Sequence, residues 1–265
     1  MDTTFDIRLR ELKSGGRRLL ICYLPLGDPA LGDRAARAQE LVSSGADVLE
    51  LGLPYRNPEL DGPVVGDSMR RALESDPGSD PYSDIRRIRE SSPNALLQVM
   101  TYWELISEMG CTLFADRVAD AGADAVLCPN IPRHARNQLS SELGRRGLPL
   151  LNFVPFDCAE GELERVASEA EGYVFLQAVN GKTGVSKTAP SARVGASIQC
   201  LRRYGATVPL CAGFGISSPE DVALYLSMGA DGVIIGSALL LAMLRDDARG
   251  FLAPIREVLD EETLP

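Results

Sequence analysis

Histidine and tryptophan are almost missing from this chain: His134 and Trp103 each stand alone among 265 residues. A single histidine supplies a Cys/His zinc site poorly, so no metal is expected. The six cysteines, Cys22, Cys111, Cys128, Cys158, Cys200 and Cys211, are scattered and form no C-x-x-C pair. Reduced thiols in a cytoplasmic protein are the expectation. A surplus of positive charge is absent too. The formal net charge is −10, which speaks against a nucleic-acid or anionic-membrane surface. A phosphate ligand is not excluded, because backbone N–H groups and a helix dipole hold one without lysine. No apolar run is long enough to span a bilayer; the most apolar late stretch, Gly232 to Leu244, falls short of the ~20 residues required. Met1-Asp2-Thr3-Thr4-Phe5-Asp6 has neither a basic region nor an apolar core, so no signal peptide is expected.

What is present is a repeated joint. Gly45-Ala46-Asp47-Val48, Gly122-Ala123-Asp124-Ala125-Val126 and Gly229-Ala230-Asp231-Gly232-Val233 each follow a helix-like segment and precede an apolar run. Glycine suits the left-handed end of a helix, and the turn leads into a strand. Eight short runs are apolar on both faces, as parallel strands buried on both sides should be: Leu19–Leu26, Val48–Leu53, Leu96–Thr101, Ala125–Cys128, Leu148–Val154, Tyr173–Ala178, Val208–Cys211 and Gly232–Ile235. Helical patterns lie between them, among them Asp33–Ser43, Gly161–Ala170 and Pro219–Met228, the last started by Ser218 as cap and a proline in the first turn. The Ser75–Ser83 stretch, rich in Asp, Pro, Gly and Ser, is expected to be a surface loop. Eight β–α units without a linker predict an α/β protein, one (β/α)8 TIM barrel over residues 1–265, close to the ~250 residues such a barrel takes.

Two carboxylates stand out against that fold. Glu50 sits among Val48, Leu49, Leu51 and Leu53, and Asp61 follows after a loop with prolines at 54, 58 and 63. A buried carboxylate costs several kcal/mol unless it is paired or opens on a cleft, and barrel active sites lie at the C-terminal ends of the strands. Taken alone, Glu50 is explained as well by a structural ion pair, and Asp61 by a turn. Three glycine turns follow the last three strands: Asn180-Gly181-Lys182-Thr183-Gly184, Gly213-Phe214-Gly215-Ile216-Ser217 and Gly236-Ser237-Ala238. Loops after strands seven and eight often bind phosphate in barrels. Ser237 is placed where a helix start offers free N–H groups.

With Leu26-Gly27-Asp28-Pro29, Glu50-Leu51-Gly52-Leu53-Pro54, Asp61-Gly62-Pro63, Thr183-Gly184, Gly213-Phe214-Gly215-Ile216-Ser217-Ser218-Pro219 and Gly236-Ser237, the chain resembles the tryptophan synthase α subunit family, the indole-3-glycerol-phosphate lyases. The resemblance runs from about Gly16 to the final helix. It implies a lyase of tryptophan biosynthesis that cleaves indole-3-glycerol phosphate, a retro-aldol, without a cofactor. It implies Glu50 as the proton-shuttling acid and base, with a raised pKa, and Asp61 as the anion facing the indole N–H. Tyr23 and Met100 match the indole sandwich, and Tyr102, Phe175 and Thr183 match other substrate-side positions, Thr183 as the loop threonine that meets Asp61. Gly184, Phe214, Gly215, Gly236 and Ser237 match the phosphate cradle. The implied partner is a β subunit.

Several positions depart from the family pattern. Arg56-Asn57-Pro58 stands for Ser-Asp-Pro, Pro25 for a threonine, Asn130 for an aspartate and Val179 for an arginine. Tyr102-Trp103-Glu104-Leu105 replaces a segment in which Asn-Pro follows the tyrosine and one more residue. Phe175 replaces a tyrosine near the catalytic glutamate, which predicts that Glu50 lacks a hydrogen-bond partner. Asn57 and Glu104 put the coupling to a β subunit in question. Two alternatives therefore stay open: a non-catalytic barrel that binds a partner or ligand, and an aldol-type lyase for a related phosphorylated substrate.

Overall fold

The computed structural model describes residues 2–76, 78, 80–178 and 192–261. Eight parallel strands form one sheet: β1 Leu19–Pro25, β2 Val48–Gly52, β3 Leu96–Met100, β4 Ala125–Leu127, β5 Asn152–Val154, β6 Val174–Gln177, β7 Leu210–Gly213 and β8 Gly232–Ile235. Their order is β4-β3-β2-β1-β8-β7-β6-β5, so the first and last strands pair. A single bridge between Val126 and Leu150 draws the two outer ends together, with Leu151 N–H donating to the Val126 carbonyl at 2.8 Å. The sheet is a nearly closed barrel, as the eight apolar runs predict.

Most strands match the expected runs to within a residue at each end; two start later than that, and proline explains both. Pro149 and Pro209 carry no N–H and cannot continue a ladder. β5 is therefore reduced to Asn152–Val154 and β7 starts at Leu210. Both proline carbonyls still accept a bond from a neighbouring strand, Pro149 from Val126 N–H at 3.1 Å and Pro209 from Val174 N–H at 2.9 Å.

The described helices are α1 Thr4–Ser14, α2 Arg34–Ser43, α3 Pro63–Ser75, α4 Pro81–Ser91, α5 Trp103–Met109, α6 Cys111–Asp120, α7 Arg133–Gly144, α8 Glu160–Glu169, α9 Ala192–Arg203, α10 Pro219–Ser227, α11 Ser237–Met243 and α12 Ala248–Asp260. Asp33 caps α2, accepting from Ala35 N–H at 3.1 Å. Ser218 and Asp221 form a reciprocal cap at α10. His134 is an exposed residue in the first turn of α7. None of the described helices is long and apolar enough to cross a membrane.

The repeated Gly-Ala-Asp joint does more than turn the chain. Gly45, Gly122 and Gly229 have φ of 97°, 89° and 95°, a region that strains any residue with a Cβ. That turn delivers each aspartate to the start of the preceding barrel strand. Asp47 accepts from Leu20 N–H at 2.9 Å, Asp124 from Leu97 N–H at 2.7 Å and Asp231 from Leu210 N–H at 2.7 Å. Each carboxylate also meets an arginine: Asp47 meets Arg256, Asp124 meets Arg89 and Asp231 meets Arg202. The same three-residue word thus ties adjacent strands at the N-terminal rim of the barrel.

Candidate active site

The opposite rim holds the other acids. In the barrel register Glu50 lies between Tyr23 on β1 and Gln98 on β3. The Tyr23 ring lies so close over Gly52 that any side chain there would collide with it. Phe175 lies over Gly213 in the same way. These two close approaches account for glycine at the exits of β2 and β7, and they set two rings into the mouth of the barrel.

Asp61 arrives from the loop between β2 and α3. Its N–H donates to the Pro58 carbonyl at 3.1 Å. The loop is fixed from behind by α3, whose Ser68 and Arg71 hold Asp28, a residue with no exposed surface. Ser68 Oγ and Arg71 Nη2 each lie 2.5 Å from Asp28 Oδ2, and Ala30 N–H caps Oδ1 at 3.0 Å. Burial pushes the Asp28 carboxyl up, but these donors outweigh it and hold it below the ordinary carboxylate range. This network gives the Leu26-Gly27-Asp28-Pro29 motif its physical role: it locks the β1 exit to the helix that follows Asp61.

Glu50 and Asp61 line one cavity of 320 Å³. Glu50 is 4% exposed. Burial raises its carboxyl to about 7, the bond from Gln98 opposes that rise, and Asp61 adds to it. The expectation that Glu50 lacks a partner is corrected here: Gln98 Nε2 donates to Glu50 Oε1 at 3.1 Å. Tyr102 Oη donates to Asp61 Oδ2 at 2.8 Å, and its ring stacks on Tyr55 at 5.0 Å between centroids. Tyr102 does not itself line the cavity; it reaches the site through Asp61.

Of the remaining expected residues, Tyr23, Met100, Phe175, Phe214, Gly215, Gly236 and Ser237 all line this cavity. Thr183 and Gly184 lie outside the described residues, as does Val179. Phe153 and Leu127 also line it and escaped sequence reasoning, because an inward apolar residue on a strand carries no mark of its own. Phe153, Phe175 and Phe214 pack with ring centroids 5.4 to 6.2 Å apart. Phe214 has φ 76°, and Gly215 has φ 75°, so the turn after β7 is built on two successive left-handed residues.

Ser237 opens α11, and its Oγ is buried without a hydrogen-bond partner. The first N–H groups of a helix have no carbonyl ahead of them, so this end of the cavity presents donors. No lysine, arginine or histidine lines the cavity among the described residues. Nor do the described residues contain a group of three or more His, Cys, Asp or Glu arranged to hold a metal ion. A ligand suited to this space is apolar and flat at the centre, meets two acids on one side, and carries an acceptor group toward Gly215 and Ser237.

A family profile described as tryptophan synthase alpha chain matches residues 9–255. The chain belongs to the tryptophan synthase alpha chain family. The tryptophan synthase alpha chain of Halorhodospira halophila is 33% identical over 267 residues, covering 97% of this chain and 96% of that protein. The alpha chain of Prochlorococcus marinus is 34% identical, covering 91% and 86%. Among solved structures, tryptophan synthase subunit alpha from Legionella pneumophila aligns with a TM-score of 0.83 at 27% identity over 98% of this chain and 99% of that one. A chain of Mycobacterium tuberculosis tryptophan synthase gives 0.87 at 24% identity over 99% and 100%, a likeness of fold. The barrel that the apolar runs predict is the fold of this family.

Proposed function

We propose that the chain cleaves indole-3-glycerol phosphate to indole and glyceraldehyde 3-phosphate, with Glu50 as the proton carrier and Asp61 as the anion beside the indole nitrogen. It is a carbon–carbon lyase of tryptophan biosynthesis. The observation that carries the assignment of roles is the pairing of one carboxyl raised to about 7 with a second carboxyl on the same small apolar cavity. Indole leaves poorly as a carbanion, so C3 must gain a proton. Protonated Glu50 gives that proton, and the bond to C3 forms from the ring's electron pair. Positive charge then appears at the ring nitrogen, where Asp61 stabilises it. Glu50, now a carboxylate, takes the proton of the hydroxyl on the carbon attached to C3. The O–H pair becomes the aldehyde carbonyl, the C–C pair returns to the ring, and Glu50 ends protonated as it began. The aromatic walls Tyr23, Phe153 and Phe175 suit the indole, and Gly215, Gly236 and Ser237 suit the phosphate.

Members of this family pair with a β subunit, and the reading extends to such a partner here. Two of the departures noted in the sequence contact one another: Asn130 Nδ2 donates to the Glu104 carboxylate at 2.9 Å. The family pattern has the amide first and the acid second; here the acid comes first and the amide second. The exchange keeps one acid and one amide at these two positions, with unchanged charge. Asn57 is exposed. A cytoplasmic setting fits the six cysteines, all free.

Incubation with indole-3-glycerol phosphate, following indole release, tests the reading. Release by the wild type and its loss in Glu50→Gln is the expected result; undiminished release by that variant refutes the assigned role.

A further inference from the structure

Gln98 is the one polar residue of β3, flanked by Leu96, Leu97, Val99 and Met100. It has no exposed surface. An amide in the interior of a barrel costs on the order of 1–3 kcal/mol if its groups are unpaired, so its partners deserve the question of what they accomplish. Both ends of the amide are used. Nε2 lies 3.1 Å from Glu50 Oε1, and Oε1 lies 2.5 Å from the hydroxyl of Tyr173, itself fully buried just before β6. The catalytic cycle sets the orientation. Glu50 passes through an ionised stage, and only a donor suits that stage, so the NH2 group faces Glu50 and the carbonyl faces Tyr173, whose hydroxyl then donates.

We infer that Gln98 is a positioning residue for proton transfer: held by Tyr173, its amide fixes Glu50 Oε1 as a hydrogen-bond acceptor and leaves Oε2 to carry the proton to and from the substrate. This rests on the role given to Glu50 above. A carboxyl has two oxygens and rotates freely unless one is bound. With Oε1 occupied by an N–H, the acidic proton sits on Oε2, and Glu50 faces the cavity. Once that proton has moved to C3, the carboxylate is left in an apolar wall, and the same N–H stabilises it. Tyr173 polarises the amide and strengthens that bond. The proton itself never passes through Gln98; it leaves Oε2 for C3 and returns to Oε2 from the hydroxyl.

Among the described residues the groups that face Glu50 are few. Tyr23 stands beside it on β1, Gln98 on β3, Tyr173 just before β6 and Asp61 in the loop after β2. Burial holds both tyrosines well above the ordinary phenol range, so they remain neutral, and among the described residues Asp61 is the charge that acts on Glu50. The Gln98 N–H opposes that charge and the burial.

The test is the pH dependence of indole release in wild type, Gln98→Met, Tyr173→Phe, the double variant and Glu50→Gln. Because the protonated acid starts turnover, kcat falls as pH rises through the titration of Glu50. Gln98→Met keeps the length and volume of the side chain and removes the donor. It should lower kcat roughly 10- to 100-fold and move the alkaline fall upward by about one pH unit, with KM changed less than about threefold. Tyr173→Phe should give a smaller shift in the same direction. In the Gln98→Met background it should add no further shift, since its effect travels through the amide. A pH profile of Gln98→Met that superposes on wild type overturns the inference while leaving Glu50 its role, provided Glu50→Gln is inactive. An active Glu50→Gln overturns the role itself. Should Gln98→Met fail to fold, Tyr173→Phe alone decides: an unshifted profile counts against the relay.

Discussion

The two rims of this barrel use the same residue type for opposite ends. At the N-terminal rim Asp47, Asp124 and Asp231 each bind the backbone N–H of a neighbouring strand and an arginine. At the C-terminal rim the described side-chain donors to Glu50 and Asp61 are a neutral amide and a neutral phenol. An acid tied to a strand N–H and an arginine holds structure together. Glu50, met by a neutral amide inside an apolar wall, keeps its proton near neutral pH and can give it away. What separates a structural carboxylate from Glu50 here is its surroundings: a cation at one rim, an apolar wall at the other.

Removing one acid from each rim should break the symmetry of that comparison. The largest effect expected is the loss of indole release in Glu50→Gln, about 1000-fold or more, in a protein that still folds. Asp47→Ala should do the reverse. It removes the bond to Leu20 N–H and one of the two carboxylates of Arg256, 8% exposed, which keeps Asp260, a loss of about 2–3 kcal/mol and a fall in Tm of about 5 °C. Its kcat per folded molecule should stay within about twofold, and a calorimetric scan beside an indole assay separates the two outcomes.

The same pair sharpens into a pH experiment. Folded Glu50 keeps its proton up to about pH 7, whereas the unfolded chain releases it near 4.5. Folding therefore takes up a proton between those values, and the stability of the wild type declines as pH rises through that window. The gap, at 1.36 kcal/mol per pH unit, amounts to about 3 kcal/mol. Glu50→Gln lacks this term, so it should gain on the wild type between pH 4.5 and 7 in denaturant titrations. Equal stability differences at both ends of the window would show that Glu50 titrates as an ordinary carboxylate.

Smaller effects follow within the active rim. Tyr102→Phe removes the hydroxyl that orients Asp61 and should lower kcat about tenfold, near the 1–1.5 kcal/mol of one hydrogen bond. Ser237→Ala should be the mildest, raising KM about threefold with kcat kept, because the lost hydroxyl is one donor among several N–H groups. A KM unchanged in that variant would remove Ser237 from the phosphate end.

Much of the barrel was legible in sequence because its signals are local. Apolar runs mark strands, and Gly-Ala-Asp marks the joints between helix and strand. What escaped depends on register. Gln98 sits in an apolar run, and only the pairing of β2 with β3 sets it opposite Glu50; the single polar letter in Leu96–Met100 was the signal available. The substitution at Phe175 pointed to a missing partner for Glu50, and the barrel supplies one from another strand. Likewise Glu104 and Asn130 look like separate departures along the chain, and only the fold shows that they touch. The shortened β5 and the late start of β7 follow from Pro149 and Pro209, which a reading by hydrophobicity alone passes over.

The lining of the cavity, bare of lysine, arginine and histidine among the described residues, has a consequence for how this site ages and responds. Main-chain amides do not titrate, and point substitution deletes one only by introducing proline. A grip made of them is indifferent to acidity across the physiological range and tolerant of side-chain drift around it. Among the described lining residues, the groups left to make ligand affinity depend on pH are the two acids across the cavity, beside the ligand's own ionisation.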